Sequence, residues 1–82
     1  MTRVTLYSKP DCHLCDVVKD VISTVHKRRE FELEVRNILD NPADFERFKT
    51  EIPVIFVNDQ EIARYRLSEA RLDFALDQVE SA

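Results

Sequence analysis

The chain has 82 residues, of which 44% are hydrophobic and 34% charged, with a formal net charge of −4 and no glycine. That length and composition describe one small folded domain over residues 1–82, not a disordered tail. The acidic balance argues against nucleic acid, which draws on clustered positive charge, and without glycine there is no Gly-rich phosphate cradle.

In chain order, "RVTLYS" (residues 3–8) sets Val4 and Leu6 against Thr5 and Tyr7 and predicts a strand. From Leu14 the period changes. Leu14, Val18, Val21, Ile22 and Val25 recur at helical steps, predicting a helix with one buried stripe that ends near Arg29. Lys27, Arg28 and Arg29 then read as its solvated end, beside the negative pole where cations are favoured. "EFELEVRNI" alternates again, with Phe31, Leu33 and Val35 inward. "DNPADFERFK" predicts a short helix capped by Asn41, with Pro42 at its first position, Asp44 in its first turn, and Phe45 and Phe48 packing on one side. "VIFV" is a strand covered on both faces, Asn58-Asp59 a turn, and "EIARYR" its antiparallel return. Ser68 caps a last helix whose stripe is Leu72, Ala75, Leu76 and Val79. The order is β-α-β-α-β-β-α, an α/β pattern with a parallel unit followed by an antiparallel hairpin. Turns must rely on Asn, Asp and Pro.

The start of the chain lacks a signal peptide's apolar core, and its densest apolar run, "IPVIFV", is far below the roughly 20 residues that span a bilayer. A cytoplasmic protein with no membrane association is expected.

The only two cysteines, Cys12 and Cys15, stand where the first strand gives way to the first helix. A permanent staple is uncommon in a reducing compartment, which leaves metal binding, redox chemistry or two inert thiols. A zinc site usually takes four ligands, and no second Cys/His pair at metal spacing follows. Redox chemistry has a physical rationale. Helix N-terminal N–H groups lack intrahelical partners and carry the positive end of the macrodipole, so a thiolate at Cys12 is stabilised. The thiolate is the attacking species in disulfide exchange, and Lys9 adds positive potential nearby. Cys15, a turn further in and on the same side, is expected to be more buried and placed to resolve a mixed disulfide at Cys12. Pro53 opens the third strand, a position proline tolerates. The residues alone leave its peptide bond trans.

"SKPDCHLC" resembles the glutaredoxin pattern of a lysine three residues before C-x-x-C, and "EIPV" is similar to that family's Thr-Val-Pro segment. The element order is similar to the minimal thioredoxin fold over nearly the whole chain. The resemblance is to the glutaredoxin branch of the thioredoxin superfamily, and within it to small glutaredoxin-like proteins with C-x-L-C and "IPV". It implies a thioredoxin fold with a four-stranded mixed sheet flanked by helices, and a monomeric thiol–disulfide oxidoreductase serving electron transport and cell redox homeostasis. Cys12 matches the nucleophile and Cys15 the resolving thiol. Pro53 matches the family's cis-proline and Ile52 the residue whose backbone pairs with substrate. Lys9 matches a cation that meets a glutathione carboxylate. No tightly bound cofactor or metal is implied. Glutathione or a reductase is the implied electron donor, and the partners are a disulfide-bearing protein or a glutathione mixed disulfide.

The sequence departs from the pattern in two places. His13-Leu14 replaces the family's Pro-Tyr or Pro-Phe; a charged histidine there favours the thiolate and so a more oxidising disulfide, and a solvated surface residue is an equal reading. "ARYRLSEA" replaces a Gly-Gly pair, so Tyr65 and Arg66 put bulk where glutathione's backbone comes close, and weak glutathione use is expected. Ser68 and Glu69 are candidates for the polar-acidic pair that holds the γ-glutamyl end. Arg64 and Arg66 read as a wet strand face or as contacts for an acidic partner. Two other functions share the fold: an iron–sulfur or metal carrier, and an interaction domain without catalysis.

Overall fold

The computed structural model describes residues 2–80. Strand β1 (Arg3–Ser8) is followed by helix α1 (His13–His26), β2 (Glu32–Asn37), a one-turn 3-10 helix (Ile38–Asp40), α2 (Pro42–Phe48), β3 (Val54–Val57), β4 (Gln60–Arg64) and α3 (Glu69–Glu80). Apart from the 3-10 turn this is the predicted order. The strands form one mixed sheet in the order β2-β1-β3-β4. β1 pairs parallel with β2 and antiparallel with β3, and β3 pairs antiparallel with β4.

Strand alternation splits the core in two. On one face Val4, Leu6, Ile55 and Val57 meet Val18, Ile22 and Val25 of α1 and Leu72, Ala75 and Leu76 of α3. On the other face Phe48 of α2 packs with Ile38 and Val54, flanked by Tyr7, Ile52 and Phe56. The Tyr7 and Phe48 rings lie 4.6 Å apart.

Three apolar residues expected inside stand outside. Leu14 is 45% exposed, because the inward position of the first turn of α1 belongs to Cys15. Val35 pairs with Leu6 and shares its face, yet it is 44% exposed on an edge strand that the helical layer does not cover there. Phe45 is 37% exposed while its neighbour on α2, Phe48, is fully buried.

The cations after α1 do more than end a helix. Arg28 forms a two-pronged bond to the Asp73 carboxylate, 2.9 Å at each oxygen, and a third bond of 3.1 Å to Glu69. Arg29 bridges to Asp77 at 2.9 Å and Glu80 at 2.6 Å. The pair straps the C-terminal end of α1 to the length of α3. Single exposed ion pairs contribute little, but a bidentate fork inside a shared network holds its geometry. Hydrogen bonding from Arg28 holds the Asp73 carboxyl below its ordinary value of 3.8. A carboxylate depressed in the folded state adds stability above its unfolded value, and that stability is lost as pH falls through the folded one. Asp73→Asn is therefore expected to lower the urea midpoint at neutral pH. The gap from the native protein should close as pH drops below about 3.8. A gap that stays constant from pH 7 to pH 3 would show that the Asp73 charge contributes nothing.

Without glycine, three of the described residues take left-handed backbone: Asp11 (φ 61°), Asn58 (φ 54°) and Tyr65 (φ 65°). Asn58 turns the β3–β4 hairpin and is pinned to β1, donating to Arg3 O at 2.7 Å and accepting from Arg3 N at 3.0 Å. Asp and Asn tolerate this region by local side-chain hydrogen bonding. Tyr65 does not share that ease. It is held by two bonds, its N–H to Pro53 O at 2.8 Å and its hydroxyl to Thr50 O at 3.2 Å.

Candidate functional site

The register brings four chain segments to one end of the sheet. Ser8 and Asn37 end the parallel strands β1 and β2 side by side, Val54 begins β3 opposite Tyr7, and Arg64 ends β4 opposite Val54. The loop that leads to Cys12 and α1 leaves from Ser8, Ile52-Pro53 enters at Val54, and Tyr65 leaves from Arg64. The crevice beyond the carboxyl ends of parallel strands is where α/β sheets place their ligands.

The turn at Pro10-Asp11 redirects the chain, and Cys12 becomes the N-cap of α1 with extended backbone (φ −102°, ψ 106°). Its sulfur accepts the N–H of Cys15 at 3.2 Å, a capping role usually filled by serine or aspartate oxygen. The Cys12 carbonyl accepts from Asp16 N at 3.1 Å and starts the helical ladder. A disulfide joins Cys12 and Cys15, whose Cα atoms are 5.2 Å apart, a separation at which the bridge needs no backbone movement. Cys12 is half-buried, whereas Cys15 is only 3% exposed. One sulfur is open to a partner and its mate is shielded. The N–H bond to Cys12 Sγ and the helix pole both favour negative charge on that sulfur once it is reduced.

Pro53 is buried and joined to Ile52 by a cis peptide bond. Ile52 is half-buried against Phe48 and Val54. Lys9 is exposed and lines a cavity of about 240 Å³ together with Cys15, Asp16, Lys19 and Asn37. Cys12, Cys15, Lys9, Ile52 and Pro53 thus share one end of the molecule. Ser68 and Glu69 have other engagements. The Ser68 hydroxyl accepts from Arg71 N at 3.0 Å and caps α3. The Glu69 carboxylate is bonded to Arg28, beyond the far end of the helix that Cys12 begins. His13, the first residue of α1, is exposed. Among the described residues no group of three or more His, Cys, Asp or Glu side chains comes together as a metal site. Lys19 lines the same cavity, four residues after Cys15 and so on the same side of the helix.

A sheet ordered β2-β1-β3-β4, with helices on both faces and a Cys-x-x-Cys bridge at the start of α1 beside a cis-proline strand, defines a thioredoxin-fold protein. The family profile described as Glutaredoxin-like domain (DUF836) matches residues 3–77. The chain belongs to that glutaredoxin-like family. Among solved structures it is similar to protein Ne2328 from Nitrosomonas europaea, at 28% identity over 90% of this chain and 89% of that one, with a TM-score of 0.77. Protein XcR50 from X. campestris matches at 24% identity over 92% and 96%, with a TM-score of 0.75. Thioredoxin 1 from Thermosipho africanus shares the fold at 16% identity over 95% and 98%, with a TM-score of 0.63.

Proposed function

We propose that this protein is a thiol–disulfide oxidoreductase, and the observation that carries the reading is the unequal pair: Cys12 reachable at a helix N-terminus, Cys15 shielded one turn behind it and already bridged to it. In the reduced protein the Cys12 thiolate attacks one sulfur of a substrate disulfide. The S–S bond of the substrate breaks, the first substrate thiolate leaves, and a mixed disulfide forms at Cys12. The Cys15 thiolate then attacks Cys12 Sγ, closes the Cys12–Cys15 bond and releases the second substrate thiolate. Two electrons pass from the protein to the substrate, and each departing thiolate takes a proton from solvent. Glutathione or a dithiol reductase restores the pair in the cytoplasm. Ile52 and Pro53 form the wall along which an extended substrate lies, and Lys9 offers a cation to its carboxylates.

The preferred substrate is a protein disulfide rather than a glutathione mixed disulfide. Tyr65, 45% exposed, follows β4 and is bonded to Pro53 and Thr50, so it brings bulk close to Pro53 where a smaller residue would leave room for glutathione. Turnover measured on insulin and on a glutathionylated peptide tests both statements. The native protein is expected to reduce insulin with the peptide as the poorer substrate, and Tyr65→Gly is expected to raise turnover of the peptide severalfold without changing that of insulin. No turnover of either substrate, with the pair fully reduced, ends the oxidoreductase reading. A Tyr65→Gly variant indistinguishable from the native protein ends the role of the ring.

A further inference from the structure

The resolving step has a difficulty that the first step lacks. Cys15 is 3% exposed, and burial in an apolar surrounding opposes the thiolate it must become. Its own N–H is spent on Cys12 Sγ. The sulfur therefore needs a counter-charge from elsewhere, and the cavity of about 240 Å³ that Cys15 lines supplies one. From α1 the cavity receives Asp16 and Lys19, from the preceding loop Lys9 and Asp11, and from the strand ends only the neutral Ser8 and Asn37. Lys19 follows Cys15 by one turn, where side chains on a helix are neighbours about 5–6 Å apart at Cβ. Asp16, the next residue after Cys15, is turned about a quarter of the way round the helix. Among the described residues Lys9 and Lys19 form no ion pair within 4.0 Å, with Asp11 and Asp16 lining the same cavity.

We propose that Lys19 is a positioning residue for resolution, holding positive charge beside Cys15 so that the buried thiol ionises and attacks Cys12 Sγ. The proposal rests on reading the pair as an exchange couple and adds which cation serves its second half. The proton lost by Cys15 passes to water in the open cavity, and the bond changes are those of the resolving step above.

Magnitudes fix what should be seen. A cation a few ångströms from a thiol lowers its pKa by about one unit or more, which makes about tenfold more thiolate below that pKa. A less basic thiolate is also a weaker nucleophile, with a Brønsted slope of about 0.5, so the net gain is about threefold per unit. Above both pKa values only the loss of nucleophilicity remains. Removing the charge should therefore slow resolution most at low pH and progressively less as pH rises.

The test uses the reduced protein and a thionitrobenzoate disulfide as probe. Attack by Cys12 releases one coloured thiolate, and resolution by Cys15 releases a second. Lys19→Gln is expected to leave the first release unchanged and to slow the second about threefold at pH 6. The deficit should shrink toward pH 9, and Lys19→Arg should behave as the native protein. In a Cys12→Ser background the remaining thiol should titrate about one unit higher once Lys19→Gln is added. Lys9→Gln, measured alongside, separates the two cations. An unchanged Cys15 titration, a slowing equal at every pH, or an effect confined to the Lys9 variant overturns the assignment. Absence of any second release from the native protein would instead overturn the exchange reading itself.

Discussion

Cys12→Ser is expected to abolish disulfide turnover, by a thousandfold or more, because a serine hydroxyl does not ionise at neutral pH and no second nucleophile reaches the substrate. Cys15 cannot substitute, since it is 3% exposed. Cys15→Ser should behave differently. The first attack is intact, so the protein accumulates as a mixed disulfide that denaturing electrophoresis without reductant, or mass spectrometry, resolves as one added substrate per chain. A small thiol would then release it. The asymmetry between the variants is the diagnostic, because a purely structural bridge would be lost equally from either side. Full insulin reduction by Cys12→Ser, or equal trapping by both variants, would reverse the assignment of nucleophile and resolver.

The second large effect concerns the core. Leu6 lies on the central strand β1, is 0% exposed, and faces α1 and α3 with Val4, Ile22, Ile55 and Leu72. Leu6→Ala removes buried methyl groups and leaves a cavity that a sheet bonded on both sides of β1 collapses into poorly, so about 2–5 kcal/mol is expected. A domain of 82 residues has a total stability of about 4–12 kcal/mol by the usual per-residue range. The substitution thus removes a large share of it. Urea denaturation should show a much lower midpoint with an unchanged slope. Leu14→Ala and Phe45→Ala, both at exposed positions, are expected to stay within about 0.5 kcal/mol. A Leu6→Ala midpoint close to theirs would mean that the main core is not where stability resides.

Much of this architecture is legible in the chain because each element carries its own period. The stripe Val18, Ile22, Val25 and the run "VIFV" locate the core without tertiary information, and Asn41 and Ser68 cap the helices they were expected to cap. The misses arise where burial depends on a neighbour and not on local spacing. Val35 alternates correctly, yet nothing in "EFELEVRNI" says that its strand lies at an edge. Leu14 fits a helical stripe, but Cys15 takes the inward position of that turn. Arg28 and Arg29 look like a solvated helix end until α3 brings Asp73, Asp77 and Glu80 against them from more than 40 residues away. At the site, C-x-x-C at a strand-to-helix junction names the sulfurs, the cis bond at Pro53 is implied only through the resemblance of "EIPV", and the left-handed Tyr65 leaves no local trace.

The left-handed turns at Asp11, Asn58 and Tyr65 also bear on the denatured chain. An L-residue in that region costs about 1–2 kcal/mol where glycine would cost nothing. Each non-glycine residue also narrows the ensemble of unfolded conformers, which offsets about 0.4–1 kcal/mol of that cost. The balance is nearly even at Asp11 and Asn58, whose short polar side chains suit the geometry. It is least favourable at the bulky Tyr65, and there the backbone and hydroxyl are each anchored to a carbonyl. A small domain without glycine thus begins folding from a stiffer starting state, and it keeps its least favourable backbone turn next to Pro53, at the end of the sheet that carries the cysteines.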